Sequence, residues 1–442
     1  MTKKDAIARH LSTIYHTHYH THLADPIVLK DIYIANNDVT CVFTEPPGST
    51  VIPELTPAIE STLFECDWVD SVQIQVQSAN RKPTEMAPYL DQVTQVIAVS
   101  SCKGGVGKST IALNLATALH MNGAQVGVLD ADIHGPSLPT IIQPTDMGAT
   151  LSEDAIPTFI NNGIRLMSYG YVQPQANQPA ILRGPIASNV LKQLAFKTDW
   201  GHLDYLIIDC PPGTGDILLT ISQDIQLSGA LIVTTPHALA YADVVKGIEM
   251  FKKVKVPILG IIENMSYFIC DHCDERHYVY GQGGLQRLAN DNQIDRWYSL
   301  PISKELAHYA QKQLPFLMQL DASHPLRTAM KKIANDCVWQ LADAEAGAVM
   351  RVAADNDGGC LTVTHDTVWT IPYESLRARC TCAYCVDEMT QAPQWDPASL
   401  DPAIIIASVK SVGHYGQAIE WLEHGSRHAS LYTNAVLQEW RS

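Results

Sequence analysis

The chain has 442 residues, 46% hydrophobic and 17% charged, with a formal net charge of -16. That length holds about three domains of ordinary size, and the composition excludes wholesale disorder. The negative charge, with no cluster of Lys and Arg, argues against a nucleic acid as partner.

The opening residues lack the apolar stretch of a secretory signal, and no run of about 18 apolar residues exists to span a bilayer. A cytoplasmic protein without a membrane partner is expected. Its 11 cysteines then stay reduced, and close spacings among them point to metal ahead of disulfide.

Residues 1–90 read as a small α+β domain: a helix over 6–16, strands over 28–35 and 39–44, a Glu45-Pro-Pro-Gly turn, a helix over 54–64 and a strand over 72–77. His16, His18, His20 and His22 alternate, which on a strand would set four imidazoles on one face; an exposed helix end or turn is preferred to a metal site. In residues 91–345, short apolar runs at 96–101, 126–130, 205–209, 230–234 and 258–262 alternate with helices. Such runs mark strands buried on both faces of a parallel α/β sheet. A helix over 326–341 ends this domain, and an Asp- and Gly-rich segment at 354–359 introduces a β-rich third domain, residues 346–442.

The strand at 96–101 and the helix at 109–119 flank Lys103, Gly104, Gly105, Val106, Gly107, Lys108, Ser109 and Thr110. The strict GxxxxGK[ST] spacing puts Cys102 at the first glycine, so this is a deviant phosphate loop. The glycines let backbone N–H groups approach phosphates, Lys108 supplies charge to the β/γ oxygens and Ser109 can coordinate magnesium, so ATP with Mg2+ is the expected ligand. A plain Gly-rich turn is the alternative. Two acidic strand ends supply what the loop lacks, a magnesium-organising carboxylate and a group to position water. Leu206-Ile-Ile-Asp209, followed by Cys-Pro-Pro-Gly-Thr-Gly-Asp216, has the form of a Walker B strand entering a switch; Asp132 ends the second strand and can face the γ-phosphate. Helix capping or turn formation is the competing use of both carboxylates.

Cys270-Asp-His-Cys273 offers half of a tetrahedral site in a polar loop, leaving three options: thiols without a ligand, a redox pair, or a site completed by a second subunit. His272 reads as a solvated side chain. In the third domain Cys380, Cys382 and Cys385, with His428 as fourth ligand, fit a closed zinc site; another iron-sulfur site is the alternative.

Lys103-Gly-Gly-Val-Gly-Lys108, Asp130-Ala-Asp-Ile-His-Gly-Pro-Ser137, Arg183-Gly-Pro185, Asp209 through Asp216 and Glu263-Asn-Met-Ser-Tyr-Phe-Ile-Cys-Asp-His-Cys273 together resemble the Mrp/ApbC family of iron-sulfur carrier ATPases, relatives of MinD. The resemblance spans residues 91–340. It implies a homodimer in which Lys103 reaches the partner's nucleotide, Asp132 orients the attacking water, Asn264 recognises adenine, and Cys270 and Cys273 of two chains share one 4Fe-4S cluster. Apo iron-sulfur proteins and a cluster-assembly scaffold are the implied partners. Cys210 departs from the family pattern and reads as a small buried hydrophobe.

Residues 348–442 resemble the amino-terminal domain of gamma-butyrobetaine hydroxylase through Ile371-Pro-Tyr-Glu-Ser-Leu-Arg377, the three cysteines, Val412-Gly-His-Tyr415 and His428-Ala-Ser-Leu-Tyr432. Ser426-Arg427 replaces the usual Asp-Gly, which makes His424 a competitor of His428. The first domain, from Asp25-Pro26 through the strand at 72–77, resembles the small domain of cytosolic iron-sulfur assembly proteins, with Glu45-Pro-Pro-Gly where that family often has Cys-Pro.

The expected architecture is thus a parallel-sheet P-loop NTPase core between a small α+β domain and a small β-rich zinc-binding domain. The leading functional reading is a slowly hydrolysing ATPase that carries a 4Fe-4S cluster to apoproteins. A MinD-like positioning switch and a metal-loaded scaffold with vestigial hydrolysis are the alternatives.

Overall fold

The computed structural model describes every residue except 1, 20, 26–27, 79–89, 91, 151–154, 174–183, 214–220, 271, 274, 307–312, 314, 349–350, 357, 365–367, 381–400, 402–403, 413–415, 424, 434–435, 438–439 and 441–442. The chain divides into two units, Met1–Leu341 and Ala342–Ser442.

The first unit begins with α1 (Lys3–Leu11), which stops short of the helix expected over 6–16. Thr2 and Asp5 form a reciprocal capping box at its start; the Ser12 and Thr13 hydroxyls donate back to the Arg9 and His10 carbonyls at its end. The following residues pair as a ribbon, β1 (Tyr15–His16) and β2 (Thr21–His22). His16 is fully buried, not exposed as expected: its Nε2 lies 3.1 Å from Glu45 Oε1, and its Nδ1 accepts from the Tyr19 N–H at 3.2 Å. With both ring nitrogens satisfied, burial of the imidazole is tolerated. His18 stacks on Trp339 with centroids 4.6 Å apart, while His20 lies outside the described residues.

A three-stranded sheet follows, in which β4 (Asp38–Glu45) pairs antiparallel with β3 (Leu29–Ala35) and parallel with β5 (Ser71–Ser78). Alternate residues Val39, Cys41 and Phe43 face Ile7 and Leu11 of α1 and Ile59 and Leu63 of α2 (Val51–Leu63).

The larger sheet comprises β6 (Val93–Ser100), β7 (Val126–Asp130), β8 (Asp146–Met147), β9 (Phe159–Asn161), β10 (Ile164–Ser168), β11 (Leu203–Asp209), β12 (Gly229–Thr234), β13 (Ile258–Ile269), β14 (Arg276–His277) and β15 (Trp297–Pro301). Its order is β14-β13-β12-β6-β11-β7-β10-β9-β8, with β15 also beside β13. The centre is parallel, but β9 and β14 run antiparallel to it and β8 pairs antiparallel with β9, so the expected parallel sheet is a mixed one. The β9–β10 turn is Asn162-Gly163, both at positive φ (47° and 84°), the dipeptide a tight hairpin requires. On one face α3 (Lys108–Met121) and the helix Pro325–Ala348 bury Ile111, Leu115, Met330 and Ile333. On the other, the helices Gly184–Lys197 and Ala238–Lys253 bury Leu191, Leu194, Ile248 and Phe251. Covering both faces explains why the central strands are apolar throughout. Among the described residues no helix is long and apolar enough to cross a membrane.

The second unit contains the antiparallel sheet β16 (Arg351–Asp355), β17 (Cys360–Thr364) and β18 (Val368–Pro372), the helix Tyr373–Ala378, and the antiparallel sheet β19 (Ile405–Val412), β20 (Gly416–Glu423) and β21 (Ser426–Thr433). Leu361, Ile371, Leu376, Ile419, Trp421 and Tyr432 form its core.

Candidate functional site

The phosphate loop leaves β6, the strand between β12 and β11, and enters α3. Gly105 and Gly107 take φ of 76° and 84°, a left-handed conformation that other residues adopt at a cost. Gly107 is also the N-cap of α3, so the first N–H groups of that helix open toward the loop. A Cβ at Gly107 would meet the end of the Asn264 side chain, so a side chain there would displace the Asn264 amide from the loop. Gly104 and Lys103 are exposed, Val106 is buried, and Ser109 and Thr110 are half-buried in the first turn of α3.

Lys108 is buried and forms an ion pair with Asp209 at the end of β11. Asp209 and Asp130 are register partners on adjacent parallel strands, so their carboxylates converge at the carboxyl edge of the sheet, where open α/β sheets bind ligands. Burial pushes the Asp209 carboxyl upward, against the opposing pull of Lys108. Burial, and then the Asp209 charge, likewise raise Asp130. Asp130 has a task that its place in the chain does not disclose. Its Oδ1 accepts from the Asp132 N–H at 3.1 Å; its Oδ2 accepts from the Leu138 N–H and the Ser168 hydroxyl at 3.1 and 3.0 Å. Asp130 thereby ties the loop carrying Asp132 to β10. Asp132 is half-buried, accepts from the Gly135 N–H at 3.1 Å, and adds its charge to the field that raises Asp209.

Lys103 lies on the exposed side of the loop, 3.2 Å from Asp243 of the helix Ala238–Lys253. Asn264 Nδ2 donates to the Val106 carbonyl at 2.9 Å, so this residue clasps the loop backbone. Cys210 is fully buried, which pushes its thiol up to about 12 and makes it inert, in line with its reading as a small hydrophobe. Asp216 and Arg183 lie outside the described residues.

The segment from Asn264 onward stays in β13, which runs to Ile269, well beyond the 258–262 expected. Glu263 anchors it, accepting from the Tyr241 hydroxyl at 2.8 Å and from the Ser266 hydroxyl. β14 folds back with Phe268 opposite His277 and Ile269 opposite Arg276, and the Cys270 N–H donates to the Glu275 carbonyl at 3.0 Å. Cys270 is half-buried, Cys273 exposed and His272 exposed. One cluster of metal-ligating side chains occurs among the described residues: the ligand atoms of Cys270, Cys273 and His277 lie within 4.8 Å of one another.

In the second unit Cys380 is buried with Sγ 2.7 Å from the Ser430 hydroxyl. His428 lies two residues before Ser430 on β21, and its Nε2 is buried without a hydrogen-bond partner. Strand alternation puts the two side chains on the same face as Cys380. Cys382, Cys385, His424 and the Gly413-His-Tyr415 segment lie outside the described residues.

A family profile described as NUBPL iron-transfer P-loop NTPase matches residues 92–338, and one described as gamma-butyrobetaine hydroxylase-like, N-terminal, matches 352–438. The chloroplastic Fe-S cluster assembly factor HCF101 of Oryza sativa is 35% identical over 363 residues, 80% of this chain and 67% of that protein. The iron-sulfur cluster carrier protein of Aquifex aeolicus is 36% identical over 323 residues, 67% of this chain and 86% of its own length. The iron-sulfur cluster transfer protein NUBPL of Dictyostelium discoideum is 40% identical over 275 residues, 62% and 84% of the two chains. Among solved structures, a nucleotide-binding protein of Archaeoglobus fulgidus in complex with ADP is 34% identical with a TM-score of 0.45, covering 54% of this chain and 93% of its own. With more than half its length matched by one profile and the phosphate loop, acidic strand ends and cysteine hairpin in place, the chain belongs to the NUBPL iron-transfer P-loop NTPase family.

Proposed function

We propose that this chain is an ATP-hydrolysing iron-sulfur carrier that receives a 4Fe-4S cluster and passes it to apoproteins. The observation that carries this reading is the reach of β13: Asn264 on that strand holds the phosphate loop through Val106, and Cys270 follows six residues later, directly after the strand ends at Ile269. Nucleotide-dependent movement of the loop is thereby passed to the cluster ligands along one short stretch of backbone, over at most roughly 20 Å at about 3.3 Å per residue.

In this reading Lys108 and the Gly104–Gly107 backbone hold the β and γ phosphates, and Ser109 with Asp209 organises Mg2+. Thr110 supports the first turn of α3, and Asp132 orients the attacking water. Asn264 borders adenine while keeping its loop contact. Lys103 exchanges Asp243 for the nucleotide of a partner chain, which makes the homodimer the hydrolysing species and keeps turnover slow. The cluster is the cargo, held by Cys270 and Cys273 of two chains on the dimer axis, because such a cluster takes four thiolates and each hairpin offers two. The recipients are apo iron-sulfur proteins and the donor is an assembly scaffold. In the second unit, Cys380, Cys382, Cys385 and His428 hold Zn2+; the orphaned Nε2 of His428 beside the Cys380 face fits such a ligand. We divide the chain into functional domains at 1–90, 91–345 and 346–442. A MinD-like positioning role is not favoured, since the relatives above are iron-sulfur assembly, carrier and transfer proteins.

Anaerobic reconstitution with iron and sulfide tests the proposal. About four iron atoms per dimer are expected, lost on Cys270→Ala or Cys273→Ala with ATP binding retained. A cluster that persists in the double cysteine variant, or four atoms per chain at this site, defeats it.

A further inference from the structure

The hairpin that carries the two thiols also carries an imidazole. Phe268 and His277 are register partners of β13 and β14, and Cys270 lies two residues beyond Phe268. Side chains alternate across a strand, so Phe268, Cys270 and His277 share one face. The opposite face is pinned: the Arg276 guanidinium sits 4.8 Å from the centroid of Tyr267, whose ring lies 5.5 Å from that of Tyr278. Turning the strand so that His277 left the Cys270 face would carry Arg276 off that aromatic pair. The Cys270 N–H bond to Glu275 closes the loop and returns Cys273 to the same side. As a result, Cys270, Cys273 and His277 hold their ligand atoms within 4.8 Å of one another inside a single chain.

We infer that His277 completes, with Cys270 and Cys273, a single-chain Cys2His site for one borderline divalent cation such as Zn2+ or Fe2+. Two thiolates and an imidazole suit these ions, and three protein ligands leave the fourth tetrahedral position open, as in sites that exchange a ligand. The inference rests on the reading of the two thiols as metal ligands and gives them a second use. In one chain they bind a lone ion with His277; across two chains they bind the bridged cluster without it. The two uses share thiolates and exclude each other, so a lone ion keeps the hairpin out of the cluster-bearing dimer. His272, exposed within the loop, is not one of the three ligands.

The full chain, stripped of metal under anaerobic conditions, is titrated with Co2+. One ion per chain is expected beyond that taken up by the second-unit site, which the Cys270→Ala, Cys273→Ala chain measures alone, with sulfur-to-cobalt charge transfer and the intense ligand-field bands of a tetrahedral centre. Loss of an outer hydrogen-bond partner already weakens metal sites by about 10- to 100-fold, so His277→Ala should weaken binding by at least about 100-fold. His277→Cys should restore binding with stronger charge transfer, a rescue that a merely structural role would not produce; His272→Ala should change nothing. His277 is exposed, so its replacement leaves the core intact. Reconstituted with iron and sulfide, His277→Ala should retain the full iron content of the dimer. Wild-type Co2+ affinity and spectrum in His277→Ala would overturn the inference and leave the cluster reading standing. Cysteine variants that keep their iron defeat the cluster reading instead, and the comparison of wild type with His277→Ala still decides this one.

Discussion

Lys108→Met should destabilise the protein even without added nucleotide. The Lys108 and Asp209 side chains are 8% and 1% exposed and paired, and Asp209 Oδ2 has no hydrogen-bond partner. Removing the ammonium leaves a carboxylate uncompensated in a place that water does not reach, a loss of about 3–5 kcal/mol. Methionine nearly preserves the side-chain volume, so the cavity contribution is small. The carboxyl can escape by taking a proton, because burial already raises its pKa and Lys108 is the strongest group holding it down. A native pKa above the unfolded value, about 3.9, means that the native state binds the proton more tightly. Stability of the variant therefore falls as pH rises from the unfolded value through the raised native one. The deficit against wild type should be small at acid pH and fully developed once Asp209 ionises. Urea unfolding at a series of pH values measures it. Lys108→Met combined with Asp209→Leu should recover most of the loss, since replacing both members of a buried pair is far milder than orphaning one. Equal stability of Lys108→Met and wild type at neutral pH would refute the buried pair as an energetic unit.

Other predictions concern turnover and metal. Lys103→Ala should bind ATP within a few-fold of wild type while hydrolysis falls by about 10-fold or more, because a charge supplied to the transition state is lost; equal loss of binding in Lys103→Ala and Lys108→Ala rules out the role across the dimer. Asp132→Asn should keep ATP affinity and slow single-turnover hydrolysis by about 100-fold, the scale of general-base and water-positioning effects, and unchanged turnover removes Asp132 from the mechanism. His428→Ala in the full chain should lose the zinc of the second unit, measured by elemental analysis after dialysis. Stoichiometric zinc in that variant would transfer the fourth ligand to His424.

Much of the nucleotide site was legible in the sequence because its parts are local in the chain. A strand, glycines at fixed offsets and a helix start make a phosphate loop wherever they occur, and Gly105 and Gly107 take the positive φ that this geometry uses. Asp209 was readable for the same reason, as an acid closing an apolar run. The strands β10 and β15 escaped because Arg165, Ser168 and Ser299 interrupt their apolar pattern. His16 was misread as exposed because its partner Glu45 lies 29 residues away.

The sequence by itself determined the chemistry at hand: a phosphate loop, two acidic strand ends, a CxxC pair and a cysteine-rich third domain, each encoded within a few residues. Tertiary structure alone decided which of those groups meet. Asp130 acquires its task only where β7 lies between β11 and β10, so that one carboxylate bonds Leu138 and Ser168. Asn264 reaches Val106 across 158 positions, and His277 joins the thiols only because β14 folds back on β13 in one register. Spacing along a chain cannot carry such facts, since strand order and register are set by how whole elements bury their apolar faces against one another.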